Sequence, residues 1–90
     1  MDDTKLLELA SKAANENYGP DNNPLEDDSL ALRLAVKLRL VVDIDDEGGE
    51  AFVRKPWCSE CEITEAFLDD PYAATRRAIV RAAAQIGGTL

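Results

Sequence analysis

The sequence predicts a single α+β domain over residues 1–90, in the order α-α-β-β-(β)-α, with an antiparallel hairpin packed on helices. Three observations carry this. Two stretches in the N-terminal half repeat their apolar residues with the helical period. A β-branched stretch from Leu40 then alternates, and a glycine-containing turn breaks it. Finally, Asp69 to Gly88 reads as one complete helix with a start signal, an apolar stripe and a stop signal.

The first helix is expected over residues 3–17. Asp2, Asp3 or Thr4 can cap it, and early acids suit the positive end of the helix dipole. Leu6, Leu9, Ala10, Ala13 and Ala14 form its stripe, with Glu8 and Lys12 four apart on the exposed side. Gly19-Pro20 is the stop signal, and residues 19–28, with Asn22, Asn23 and Pro24, read as a loop. The second helix starts near Asp28 or Ser29. Its apolar residues, Leu30, Ala31, Leu32, Leu34, Ala35, Val36, Leu38 and Leu40, cover most of the circumference, with Arg33, Lys37 and Arg39 interrupting. That pattern predicts a central helix packed on more than one side, with the hairpin against it and the C-terminal helix.

Leu40-Val41-Val42-Asp43-Ile44 is the first strand, Asp45-Asp46-Glu47-Gly48-Gly49 the turn, and Glu50 to Lys55 the second strand. Residues 62–68 alternate well enough for a third strand, although Ile63, Ala66 and Phe67 also suit a short helix; the strand is preferred. In the last helix Asp70 is the cap and Pro71 the first position, where its missing N–H costs nothing. Tyr72, Ile79 and Ile86 fall seven apart with Ala82 and Ala83 beside them, and Arg77, Arg81 and Gln85 line the opposite face. Gly87-Gly88 ends the helix.

Composition restricts function more than it assigns it. Hydrophobic residues are 46% and charged residues 31% of the chain, which fits a folded domain. Eighteen acids against ten bases give a formal charge of −8. Direct nucleic-acid binding is therefore not expected, since phosphate contacts need clustered Lys and Arg. The acid either keeps a small protein soluble or forms a face that docks on a basic partner. The chain has no histidine, which removes the commonest general acid/base and the commonest metal ligand. No apolar run approaches a membrane span, and the acidic start is unlike a secretory signal, so a cytoplasmic location is expected.

Four groups of residues invite a chemical reading. Cys58-Ser59-Glu60-Cys61 follows Pro56-Trp57, and the string looks like the Trp-Cys-x-x-Cys of thioredoxin-like oxidoreductases. Glu60 and Glu62 would raise a thiol pKa where such chemistry needs it lowered, and no βαβ unit precedes the motif. The pair could also supply half of a zinc site, completed across a dimer, or be two reduced thiols. Counted from Asp43, Asp45, Glu47 and Gly48 fall at the third, fifth and sixth positions of a calcium loop, but the twelfth is Arg54 where a bidentate Glu is required. A solvated hairpin turn that offers an acidic contact point is the better reading. Asp27-Asp28 and Asp69-Asp70 are explained by helix capping. Arg76, Arg77 and Arg81 are the one basic cluster and are expected to pair with acids of the same chain.

Two blocks, Asn23 to Leu38 and Asp70 to Ala84, together resemble a family of small uncharacterised proteins of tailed bacteriophages and prophages. A weaker similarity runs from Asp2 to Ala14. The resemblance implies a phage origin and expression in a bacterial host cytoplasm, and it implies no activity. The first expectation is accordingly a non-enzymatic accessory protein without cofactors. It would bind a host or phage protein through Asp43, Asp45, Asp46, Glu47 and Glu50, as a monomer or homodimer. The alternatives are a thiol-disulfide or zinc-linked role at Cys58 and Cys61, or a structural role as a dimer formed through the Ala-rich faces.

Overall fold

Each described helix is capped at its start by an aspartate. A computed structural model describes residues 2–57 and 62–89. It contains α1 (Asp3–Ala14), α2 (Asp28–Lys37), β1 (Val41–Asp45), β2 (Glu50–Arg54), β3 (Ile63–Ala66) and α3 (Pro71–Gly87). Asp2 accepts the Lys5 N–H at 2.9 Å, Asp27 those of Ser29 and Leu30 at 2.8 and 3.2 Å, and Asp70 those of Tyr72 and Ala73 at 3.0 and 3.1 Å. These bonds satisfy N–H groups that the first helical turn leaves without partners.

The first two helices end on left-handed residues. Asn15 has φ 55°, and the Glu16 N–H reaches back to the Ser11 carbonyl at 3.0 Å, so α1 stops at Ala14 and not at residue 17. Asn tolerates this conformation better than other residues with a Cβ, and here it acts before Gly19-Pro20 can. After α2 the Arg39 N–H bonds Val36 O at 3.1 Å and the Leu40 N–H bonds Ala35 O at 2.9 Å, with Arg39 at φ 56°. That is a Schellman motif with Arg where Gly is usual.

The strands form one antiparallel meander in the order β1-β2-β3. The stretch 62–68 thus supplies a strand, as preferred, through pairing of Ile63 with Val53 and Ala66 with Glu50. Alternation along β2 sends Ala51 and Val53 into the core, where both are fully buried. Ile63 joins them from β3.

The central helix is α3. It packs on α1, on α2 and on the face of β2 and β3, and it supplies Ala78, Ile79, Val80, Ala82, Ala83 and Ala84 to the core. The expectation that the second helix is central is corrected. α2 buries Ala31, Leu34 and Ala35 against α3, while Leu32 and Val36 stay 64% and 68% exposed. The sheet likewise packs on α3 and not on α2, because the chain turns away at Arg39 and carries β1 outward. The stripe on α3 is also only partly as expected: Ile79 is buried, Ile86 half-buried and Tyr72 70% exposed. Glu8 lies 3.6 Å from Lys5, which takes the place of the expected Lys12 partner.

Among the described residues, ten of the sixteen buried core residues are alanines, so the elements must approach closely to bury much area. One close approach is at Gly87. A Cβ built there would sit 1.9 Å from the backbone oxygen of Leu9 in α1. Gly87 and Gly88 do end α3, but Gly88 has φ −68°, so no left-handed glycine is involved. What Gly87 permits is contact between two helix backbones.

Candidate functional site

The hairpin of β1 and β2 gathers the five acidic residues singled out above. Side chains alternate along a strand, so Asp43 and Asp45 share the sheet face turned away from α3. Glu50 pairs directly with Asp45, and Phe52 with Asp43. Asp46 and Glu47 occupy the turn between the strands, and all five acids are exposed except Glu50, which is half-buried. No helix covers β1: all five of its residues are exposed.

Asp45 has a second task. It accepts the Gly48 N–H at 3.0 Å and curls over the turn, which then closes through Gly49 at φ 66°. The aspartate thus shapes the turn as an Asx-type residue does, with glycine absorbing the left-handed position. The remaining carboxylates, Asp43, Asp46 and Glu47, face solvent. Among the described residues no group of three or more His, Cys, Asp or Glu side chains converges to hold a metal. The pair Cys58 and Cys61 lies outside the described residues.

The turn is not alone at its end of the sheet. The Phe67 N–H bonds Gly49 O at 2.8 Å, which continues the β2–β3 ladder past Ala66. Leu68 and Asp69 therefore follow beside the acidic turn. Leu68 has φ 53° and is 92% exposed, an uncommon conformation and setting for a large apolar side chain. Tyr72 is exposed a turn further on. Sequence reading did not single out Leu68, since an isolated Leu in a strand-to-helix connection carries no signal of either property.

The same bond fixes which way the backbone of β1 faces. In an antiparallel ladder, hydrogen-bonded and non-hydrogen-bonded pairs alternate. Gly49 and Phe67 form a bonded pair, so Ala51 and Val53 also bond towards β3. Glu50, Phe52 and Arg54 then bond towards β1, through Asp45, Asp43 and Val41. Val42 and Ile44 are left with their N–H and C=O groups on the open edge. Their side chains lie on the α3 side of the sheet, beyond the reach of α3, and are 39% and 46% exposed.

The basic cluster is committed within the chain, as expected. Arg76 donates to the Leu25 carbonyl at 2.8 Å and to Asp28 at 2.6 Å, tying α3 to the start of α2. Arg77 reaches Asp3 at 3.0 Å and Glu65 at 3.9 Å, and Arg81 reaches Glu65 at 2.5 Å. Glu65, Arg77 and Arg81 line an open groove where Leu6, Leu9 and Ile63 meet the C-terminal half of α3. Its guanidinium groups already face carboxylates. The Ala-rich faces proposed for a dimer are likewise occupied, since Ala10, Ala14, Ala78, Ala82 and Ala83 are buried between elements of one chain.

No family model matches this chain, and no curated protein or solved structure matches it either. No helix among the described residues is long and apolar enough to cross a membrane.

Proposed function

We propose that this chain is a non-enzymatic accessory protein of a bacteriophage or prophage that binds a host or phage protein through the acidic hairpin. The observation that carries this reading is the clustering of Asp43, Asp46, Glu47 and Glu50 on a hairpin whose first strand, β1, is exposed along its whole length. Several other acids of the chain are spent on caps and ion pairs: Asp2, Asp27 and Asp70 hold N–H groups, and Asp3, Asp28 and Glu65 hold arginines. Exposed carboxylates without an internal task accelerate encounter with a basic partner and select against acidic ones. The phage assignment and the bacterial cytoplasm rest on the resemblance of the Asn23–Leu38 and Asp70–Ala84 blocks.

The test is affinity capture from bacterial lysate, at moderate salt, with the tagged protein and with its Asp43→Lys/Asp46→Lys/Glu47→Lys form. Asp45 is kept because it holds the turn. A stoichiometric partner that is retained by the first and lost by the second supports the reading. Equal retention by both forms, with the circular dichroism spectrum unchanged, removes the hairpin as the contact.

A further inference from the structure

We propose that the open edge of β1 takes up an extended segment of a basic partner protein as a fourth strand of the sheet. The segment would alternate Lys or Arg with apolar residues. This deepens the reading of the hairpin as an acidic protein-binding surface and rests on it.

The edge supplies both the bonds and the pattern. Val42 and Ile44 direct their N–H and C=O groups outward from the sheet. An exposed edge of this kind is a template for another strand, and main-chain hydrogen bonds to it are indifferent to sequence. Side chains then decide the partner. On the α3 side of the sheet, Val42 and Ile44 present partly exposed apolar groups at alternate positions. On the other side Asp43 and Asp45 alternate with them, with Glu50 in the next strand opposite Asp45. A strand laid along β1 places alternate residues against each set, so its two faces must be apolar and cationic respectively.

Charge also argues against a second copy of this chain as the occupant. A two-fold pairing of β1 with itself keeps like faces together, which brings Asp43 and Asp45 of both copies onto the same side. Directly opposed like charges destabilise strand pairs, and each chain carries a net −8. The aspartates therefore discourage self-pairing, a device common on natural sheet edges, while leaving the edge open to a basic strand.

The test uses the full chain, isotopically labelled, with three synthetic peptides: alternating Val and Lys, the same composition with lysines in one block, and alternating Val and Glu. The alternating Val-Lys peptide is expected to bind at least about tenfold more tightly than either control. It should slow amide exchange at Val42 and Ile44 while leaving Asp43 unaffected. Ile44→Pro removes an outward N–H at an edge position that tolerates proline and should weaken binding at least about tenfold with charge unaltered. The exchange measurement on the unaltered chain does not depend on that variant folding.

Several results would overturn the edge inference. Failure to bind the alternating peptide is one, and equal affinity for the blocked peptide is another. Unchanged exchange at Val42 and Ile44 on binding is a third. Slow exchange there before any peptide is added, together with dimeric sedimentation, would assign the edge to a second copy. Binding that survives Ile44→Pro but is lost with Asp43→Lys/Asp46→Lys/Glu47→Lys would refute edge pairing and leave the acidic hairpin as the contact. Binding indifferent to those charge reversals would refute both.

Discussion

Gly87→Ala sets two effects against each other, and the structure decides the sign. In an open helix the exchange would stabilise by about 0.8–1.0 kcal/mol, because alanine loses less backbone freedom. In this chain the new methyl carbon would lie 1.9 Å from the Leu9 carbonyl oxygen and 2.7 Å from its carbon, where ordinary contact begins at 3.4 Å. The backbones of α1 and α3 must separate by about 1.5 Å along that line (3.4 less 1.9). No rotamer can relieve the clash, since both partners are main chain. Overpacking costs about 1–3 kcal/mol, and the rigidity of the obstacle places this case at the upper end. The net expectation is a loss of about 2 kcal/mol, or about 8–16 °C in Tm for a domain of this size. Thermal unfolding followed by circular dichroism measures it. Gly19→Ala is the control, since a Cβ there meets nothing within 4 Å and the residue is not left-handed; it should be neutral or slightly stabilising. A Tm for Gly87→Ala equal to or above that of the parent would refute the close approach of α1 and α3.

Arg39→Gly should stabilise by about 0.5–1 kcal/mol, since it relieves a left-handed Arg but enlarges the unfolded ensemble; urea midpoints check it, and a lower midpoint would contradict the capping geometry. Asp70→Ala should cost about 1 kcal/mol by releasing the Tyr72 and Ala73 N–H groups, while Asp69→Ala should cost little, a contrast that paired denaturation curves resolve. Burial, with a smaller contribution from the Glu16 carboxylate, raises the Tyr18 phenol above its usual 10.0. The folded chain then holds that proton to higher pH than the unfolded one. Stability from this source is complete below pH about 10 and falls as pH rises through the raised value. Stability–pH curves for the parent and Tyr18→Phe should diverge in that range, and parallel curves would count against it.

Much of the fold was legible because its signals are local. Asp70-Pro71 opens α3 through a cap and a fixed φ, the change of period at Leu40 starts the sheet, and Asp45 to Gly49 makes the turn. What escaped the sequence depends on how elements face each other. The apolar circumference of α2 suggested burial on all sides, yet helical pattern cannot say how many neighbours arrive, and Leu32 and Val36 found none that covers them. The central position went instead to α3, whose alanines offer little hydrophobic signal but permit close packing on several sides. The acidic residues of the hairpin were visible as a run, whereas their shared face follows from the register of β1 on β2. The outward groups of Val42 and Ile44 depend on one bond between Phe67 and Gly49, which no linear pattern records.

The hub of the molecule is also the element made last among those described. α1, α2 and the sheet each bury themselves against α3, so none has its main neighbour while the chain is still being translated short of Pro71. At about 5–20 residues per second, the last residue of α1 is added roughly 3–11 s before residue 71. During that interval Leu6, Ala10 and Leu34 have no core to enter, and β1 and β2 can form only a bare hairpin of marginal stability. Folding on the ribosome is therefore deferred and then all but simultaneous. Nascent chains stalled before Pro71 should be cut readily by protease, and chains extended far enough to free Gly87 from the exit tunnel should resist.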